Sequence, residues 1–170
     1  CIGLVDWYVE HCETFLEPSP RQELSPKKSY SYIRFEPLGT ILGIMPWNFP
    51  FWQVFRFAIP TILAGNCVIL KHASNVQGCA KFMERHFELA GFTSGVFIHS
   101  SASSKDIETL ISSPIIQGVS LTGSEGAGRS VAALAGKHLK KCVFELGGSD
   151  PFIVLSDADL DTCIPLAIKG

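Results

Sequence analysis

From residue 39 onward, short apolar runs alternate with longer segments whose apolar residues recur every three or four positions. The short runs fall at 40–45, 67–71, 96–99, 118–122 and 141–145. Each is bounded by turn-forming residues, which predicts five strands. Between them Val76, Cys79, Ala80, Met83, Phe87 and Ala90 make one helical stripe, and Ala127, Val131, Leu134 and Ala135 another. Strands that are apolar throughout have no solvent face. The pattern therefore predicts an α/β fold, a parallel sheet with helices on both faces. Ahead of it, Ile2, Val5, Val9, Cys12 and Leu16 predict a helix over residues 1–16, and Pro18, Pro20 and Pro26 an extended connector. Residues 30–37, from Tyr30 to Pro37, alternate like a two-faced strand. Residues 151–155 predict one more strand, and 157–170 one more helix.

The first apolar run leads into Met45-Pro46-Trp47-Asn48-Phe49-Pro50, and a helical run follows. Pro46 and Pro50 fix φ on either side of Asn48, and a proline suits the first turn of a helix, where an N–H has no intrahelical partner. One amide side chain is thus held at the carboxyl end of a strand, where open α/β sheets place their ligands. A stiff turn whose Asn48 caps the helix is equally consistent with these residues. In the helix that follows, Arg56 is the only charge in an apolar segment, and such a guanidinium needs a partner. Asn48, Trp52 and Arg56 are spaced i, i+4, i+8, which puts Arg56 about 10 Å along the helix from Asn48.

Composition narrows the function classes. With 46% apolar and 18% charged residues the chain reads as a globular domain. Its net charge of -2, with mixed signs, gives no basic face for nucleic acid or an anionic membrane. The most apolar stretch, 58–70, is interrupted by Pro60, Gly65 and Asn66, so it is not a membrane span. Six cysteines, none in CxxC spacing or matched to a histidine at ligand spacing, predict no metal site and reduced thiols in a cytoplasmic protein. Cys142 sits on a predicted strand and reads as a core residue.

Three motifs carry a resemblance. Pro46-Trp47-Asn48-Phe49-Pro50, Leu121-Thr122-Gly123-Ser124-Glu125-Gly126-Ala127-Gly128 and Phe144-Glu145-Leu146-Gly147-Gly148 resemble, in order and spacing, motifs of the aldehyde dehydrogenase superfamily. Leu70-Lys71-His72-Ala73 and residues 145–154 look most like its bacterial succinate-semialdehyde dehydrogenase branch. The resemblance implies a Rossmann-like dinucleotide-binding domain at 39–148, preceded by a helix and connector at 1–23 and an oligomerisation β arm at 24–38. Residues 149–170 would open a catalytic domain. A chain that begins at Cys1 and stops at Gly170 inside a helical pattern is then expected to be a piece of a longer protein.

The family oxidises aldehydes through a cysteine thioester, with NAD or NADP accepting hydride. By resemblance Asn48 donates to the tetrahedral oxyanion and Glu145 is the base for thioester hydrolysis. The apolar neighbours Val143, Phe144 and Leu146 predict an apolar setting for Glu145; a solvated strand-end carboxylate is the alternative. The resemblance assigns Met45, Pro46, Trp47, Lys71, Ser74, Thr122, Gly123, Ser124, Ala127, Leu146 and Gly147 to the cofactor. It assigns Arg56 and Trp52 to the substrate, Arg56 reading a terminal carboxylate, although Arg56 could equally bond a protein carboxylate. Ser74 stands where relatives that favour NAD often have Glu, so NADP is expected to bind at least as well; Ser74 as the N-cap of the helix that follows is the alternative, and both roles are compatible. The family's glycine-proline turn after the third strand is Ser103-Ser104 here. No cysteine stands at the nucleophile's position, so the chain alone is expected to be inactive. The expected partners are a small aldehyde and further copies of the chain, as a dimer or tetramer. A non-catalytic dinucleotide-binding chain, a coenzyme-A-acylating relative and an enzyme for another aldehyde are the competing readings; the acylating relative does not need Glu145.

Overall fold

The computed structural model describes residues 1–21 and 31–169; Pro26, Tyr30 and the rest of 24–30 lie outside the described residues. The chain forms α1 (Ile2–Leu16), β1 (Ser19–Arg21), β2 (Ser31–Ile33), β3 (Thr40–Met45), α2 (Trp52–Leu63), β4 (Cys67–His72), α3 (Gln77–Leu89), β5 (Phe97–Ser100), α4 (Ile107–Ser112), β6 (Ile116–Thr122), α5 (Glu125–Lys137), β7 (Lys141–Glu145) and α6 (Leu160–Lys169). Strands β3 to β7 make one sheet in the order β5-β4-β3-β6-β7, every pair parallel. These are the five strands that the apolar runs predict.

The strands are apolar on both sides because both sides are covered. Met45, Val68 and Leu70 meet Val54 and Ala58 of α2 and Met83 of α3 on one face. Leu42, Val119 and Leu121 meet Ile111 of α4 and Val131 of α5 on the other. The chain starts in the central strand β3, builds outward to β5, then crosses to build β6 and β7 on the far side. The connections leaving β3 and β6 therefore diverge, and a crevice opens at their carboxyl ends.

Two glycines set the spacing around that crevice. A Cβ at Gly43 would strike the ring of Phe57, so α2 lies closer to β3 than any side chain there would allow. A Cβ at Gly128 would meet Leu146 Cδ2 at 2.6 Å, so α5 packs directly on the segment that leaves β7.

The structure corrects several expectations. α1 packs on α2 through Val5, Tyr8, Cys12 and Leu16, while Ile2 and Val9 are exposed. The aromatic Tyr8, not Val9, continues the stripe. The connector holds a strand, β1, that pairs antiparallel with β2, and β2 ends at Ile33 instead of reaching Pro37. Ala90 is exposed at the end of α3, and Val76 lies in a 3-10 turn ahead of it. In α5 the buried face is Gly128, Val131 and Ala135, with Ala127 exposed. Residues 151–155 form no strand. Their side chains from Phe152 to Leu155 are exposed, and no described strand lies beside them to take their N–H and C=O groups. The last helix starts at Leu160, not Asp157, because the Asp159 carboxylate accepts from the Asp161 N–H (3.1 Å) and the Thr162 hydroxyl (2.6 Å).

Candidate active site

Residues 46–51 connect β3 to α2. The Gln53 N–H donates to Phe49 O at 3.0 Å, so Pro50 occupies the first position of the helical turn. Asn48 is exposed, α2 has no side-chain cap, and no hydrogen bond joins the Asn48 amide to another described residue. The capping alternative for Asn48 is therefore not realised, and its donors are free to meet a ligand.

Between α2 and the β6–β7 edge lies a cleft of about 400 Å³, lined by Gln53, Arg56, Phe57, Thr122, Cys142 and Glu145 among others. Arg56 Nη2 stands 3.6 Å from Glu145 Oε2, and the two side chains are 39% and 58% exposed. An ion pair this wet contributes about 0–1 kcal/mol. Glu145 thus has a cationic, half-solvated setting in place of the apolar one expected. Its neighbours Val143 and Leu146 are exposed as well, because β7 is an edge strand and α5 covers one face of it. Gln53 Oε1 is buried in the same cleft without a donor among the described residues. Cys142 is half-buried, its Sγ donates to Lys140 O (3.5 Å), and burial pushes its thiol up, away from the thiolate a nucleophile needs.

The turn after β6 is tied to this cleft, since the Gly123 N–H donates to Glu145 O at 3.0 Å. Ser124 caps α5, its Oγ accepting from the Ala127 N–H at 3.3 Å. The Gly128 N–H donates to Ser124 O (2.9 Å), and the Glu125 and Gly126 N–H groups have no partner among the described residues, so the α5 N-terminus after β6 keeps two donors and the positive end of its dipole, an arrangement suited to a pyrophosphate. Farther along the strand ends, a cavity of about 660 Å³ is lined by Lys71, Ser74, Gln77, Lys81, Ser101 and Ser103. Ser74 makes no capping bond there, so its hydroxyl is open to a ligand. Ser103, in place of the glycine-proline turn, starts a 3-10 turn through a capping box with Asp106 (2.8 and 2.7 Å). The Ser103 hydroxyl and, less strongly, its N–H hold the Asp106 carboxyl below its usual range. Gln77 of this lining is held through its Oε1 by His99 Nε2 at 2.7 Å, and burial lowers the His99 pKa.

The model of the aldehyde dehydrogenase family matches residues 1–170. The chain belongs to that family. It is 48% identical over 168 residues to the succinate semialdehyde dehydrogenase [NAD(P)+] Sad of Escherichia coli, covering 99% of this chain and 36% of that protein. It is 46% identical over 164 residues to the succinate-semialdehyde dehydrogenase [NADP(+)] 1 of Mycobacterium tuberculosis, covering 96% of this chain and 36% of the relative. Among solved structures it superposes on succinic semialdehyde dehydrogenase from Streptococcus pyogenes in complex with NADP+. The TM-score there is 0.86, at 38% identity, over 92% of this chain and 34% of that one. The chain thus spans about a third of the length of these aldehyde dehydrogenases.

Of the residues that the family motifs single out, Arg56, Thr122 and Glu145 come together in one cleft, and Lys71 and Ser74 in one cavity. Asn48 and Trp52 are exposed and lie outside the lining of the cleft. Met45 is a core side chain whose carbonyl already accepts from the Ala73 N–H (3.0 Å); Pro46 is half-buried and Trp47 exposed. Leu146 rests on Gly128, and Gly147 has open space where a Cβ would stand. The motifs do not point to Gln53, Lys81 or His72. Lys81 was legible in principle, at the second turn of the helix that follows Ser74.

Proposed function

We propose that the whole protein, of which this chain is the dinucleotide-binding part, oxidises succinate semialdehyde to succinate with NADP or NAD. The observation that carries this reading is the cleft in which Arg56, the only charge of its helix, faces Glu145. A substrate with an aldehyde at one end and a carboxylate at the other suits both groups. Its carboxylate takes the Arg56 guanidinium as a bidentate partner. Glu145 is displaced from a weak, solvated pair and becomes free to accept a proton from the water that attacks the thioester. The Asn48 amide donates to the oxyanion formed when the nucleophile adds to the aldehyde. The nucleophilic cysteine belongs to the rest of the protein, which leaves this chain alone without turnover. The bound dinucleotide supplies the hydride acceptor; the α5 N-terminus fits its pyrophosphate, and Lys71, Lys81 and Ser74 fit a ribose 2′-phosphate.

We extend the proposal to a homo-oligomer, dimer or tetramer, in the cytoplasm. Strands β1 and β2 pair with each other and leave Tyr32, Ile33 and Phe35 exposed beside them, an apolar arm suited to another subunit. Two boundaries follow the same reading: the dinucleotide domain runs over 39–148 and the catalytic domain opens at 149.

The test is a product analysis of the whole protein with succinate semialdehyde and NADP. Free succinate formed without coenzyme A supports the reading; turnover that requires coenzyme A replaces it with acyl transfer. The cofactor site gives a second expected outcome. Ser74→Glu places a carboxylate beside the 2′-phosphate, where like charges about 4 Å apart repel by about 1–4 kcal/mol. The KM for NADP is expected to rise about tenfold or more while that for NAD changes little. Equal changes for both cofactors would remove Ser74 from the 2′ site.

A further inference from the structure

His72 ends β4 directly opposite Met45 and has no exposed surface. Its Nδ1 lies 3.0 Å from Met45 O and its Nε2 3.0 Å from Pro50 O. These two carbonyls are the two ends of the turn that carries Asn48. A neutral imidazole donates from one nitrogen only, so both contacts are hydrogen bonds only when both nitrogens carry protons. The Met45 end of the turn is already tied to the sheet by the Ala73 N–H (3.0 Å), so it is donation from Nε2 to Pro50 O that joins the far end of the turn to β4. Asn48 has no side-chain bond of its own to another described residue, so the turn's backbone sets where its amide points. Pro46 and Pro50 limit that backbone within the turn, but neither can anchor it to the sheet, because neither has an N–H to donate.

We propose that His72 is a positioning residue for the oxyanion donor: its ring clasps the carbonyls of Met45 and Pro50 and thereby fixes Asn48 at the carboxyl end of β3. This rests on the oxyanion role given to Asn48 above. A ring that merely filled the core would be replaceable by phenylalanine, which keeps the volume and has no ring N–H to donate. A clasp would not be replaceable in that way. Displacing a reacting group by about 1 Å costs about 10²-fold in rate.

The test uses the whole protein with His72→Phe, His72→Gln and His72→Asn, each made in the Asn48 and Asn48→Ala backgrounds, with kcat and the KM for NADP measured. Glutamine offers two N–H donors from one nitrogen; the shorter asparagine reaches one carbonyl at most. The expected result is a loss of kcat of about tenfold or more for His72→Phe, with the NADP KM within about twofold of wild type. His72→Gln is expected to recover much of that loss and His72→Asn less. In the Asn48→Ala background the same changes are expected to have little further effect, since there is no donor left to position. Equal losses in both backgrounds would make His72 a fold residue and overturn the clasp, as would full kcat in His72→Phe. If the phenylalanine variant does not fold, His72→Asn is read in the same cycle by the same criteria. An Asn48→Ala enzyme with nearly normal kcat would count against the oxyanion role and the clasp together. An impaired Asn48→Ala beside a fully active His72→Phe would overturn the clasp alone.

Discussion

Replacing Asn48 with Ala in the whole protein is expected to lower kcat by about 10²–10³, the loss seen when one preorganised oxyanion donor is removed. The size follows from where the charge appears. The aldehyde oxygen carries little charge in the bound substrate and nearly a full charge once the thiolate has added. An amide held in place stabilises the second state more than the first, so the loss falls on kcat and little on KM. The structure supports this role by what Asn48 does not do: it caps no helix, and no hydrogen bond ties its side chain to another described residue. Its exposed position also predicts that the variant folds, with a Tm close to wild type. Steady-state kinetics check the outcome, and an Asn48→Ala enzyme with nearly normal kcat would end the oxyanion assignment.

Glu145→Gln is expected to separate the two halves of the reaction. Glutamine keeps the size of the side chain but accepts no proton from water and offers Arg56 no charge. Hydride transfer precedes hydrolysis, so the variant should give a rapid burst of reduced cofactor and then a steady rate lower by about 10²–10⁴, the usual worth of a general base. Rapid-mixing absorbance of the reduced nicotinamide shows both phases. A burst that vanishes together with the steady rate would place Glu145 before hydride transfer. The Arg56–Glu145 contact adds a detail. Glutamine is a weaker competitor for the guanidinium, so the variant is expected to bind the substrate carboxylate at least as tightly as the wild type.

The sheet was legible in the sequence because apolar runs buried on both faces leave a strong local signal. All five parallel strands, and the turn holding Asn48 at the end of the central one, follow from that signal. The Arg56–Glu145 contact was not legible, because it depends on strand order. β7 joins β6 on the far side of β3 from β4, which brings its end beside α2. His72 was missed for a related reason. A histidine at a strand end reads as surface until the register sets it opposite Met45. Gly128 shows a limit of pattern reading by side chains, since the closest approach of α5 is made by a residue that has none. Residues 151–155 have the composition of a strand but no described neighbour to pair with. Composition gives a strand its tendency, and a partner makes it form.

The most direct measurement of the central claim is kcat/KM for wild type and Arg56→Ala on succinate semialdehyde and on butyraldehyde, which has the same chain length and no carboxylate. Hydrogen bonds to a charged group contribute about 1.5–3 kcal/mol. A fall of about 10–100-fold is expected on succinate semialdehyde and little change on butyraldehyde. Equal losses on both substrates would show that Arg56 serves Glu145 and the fold, and would contradict a site built to read a carboxylate.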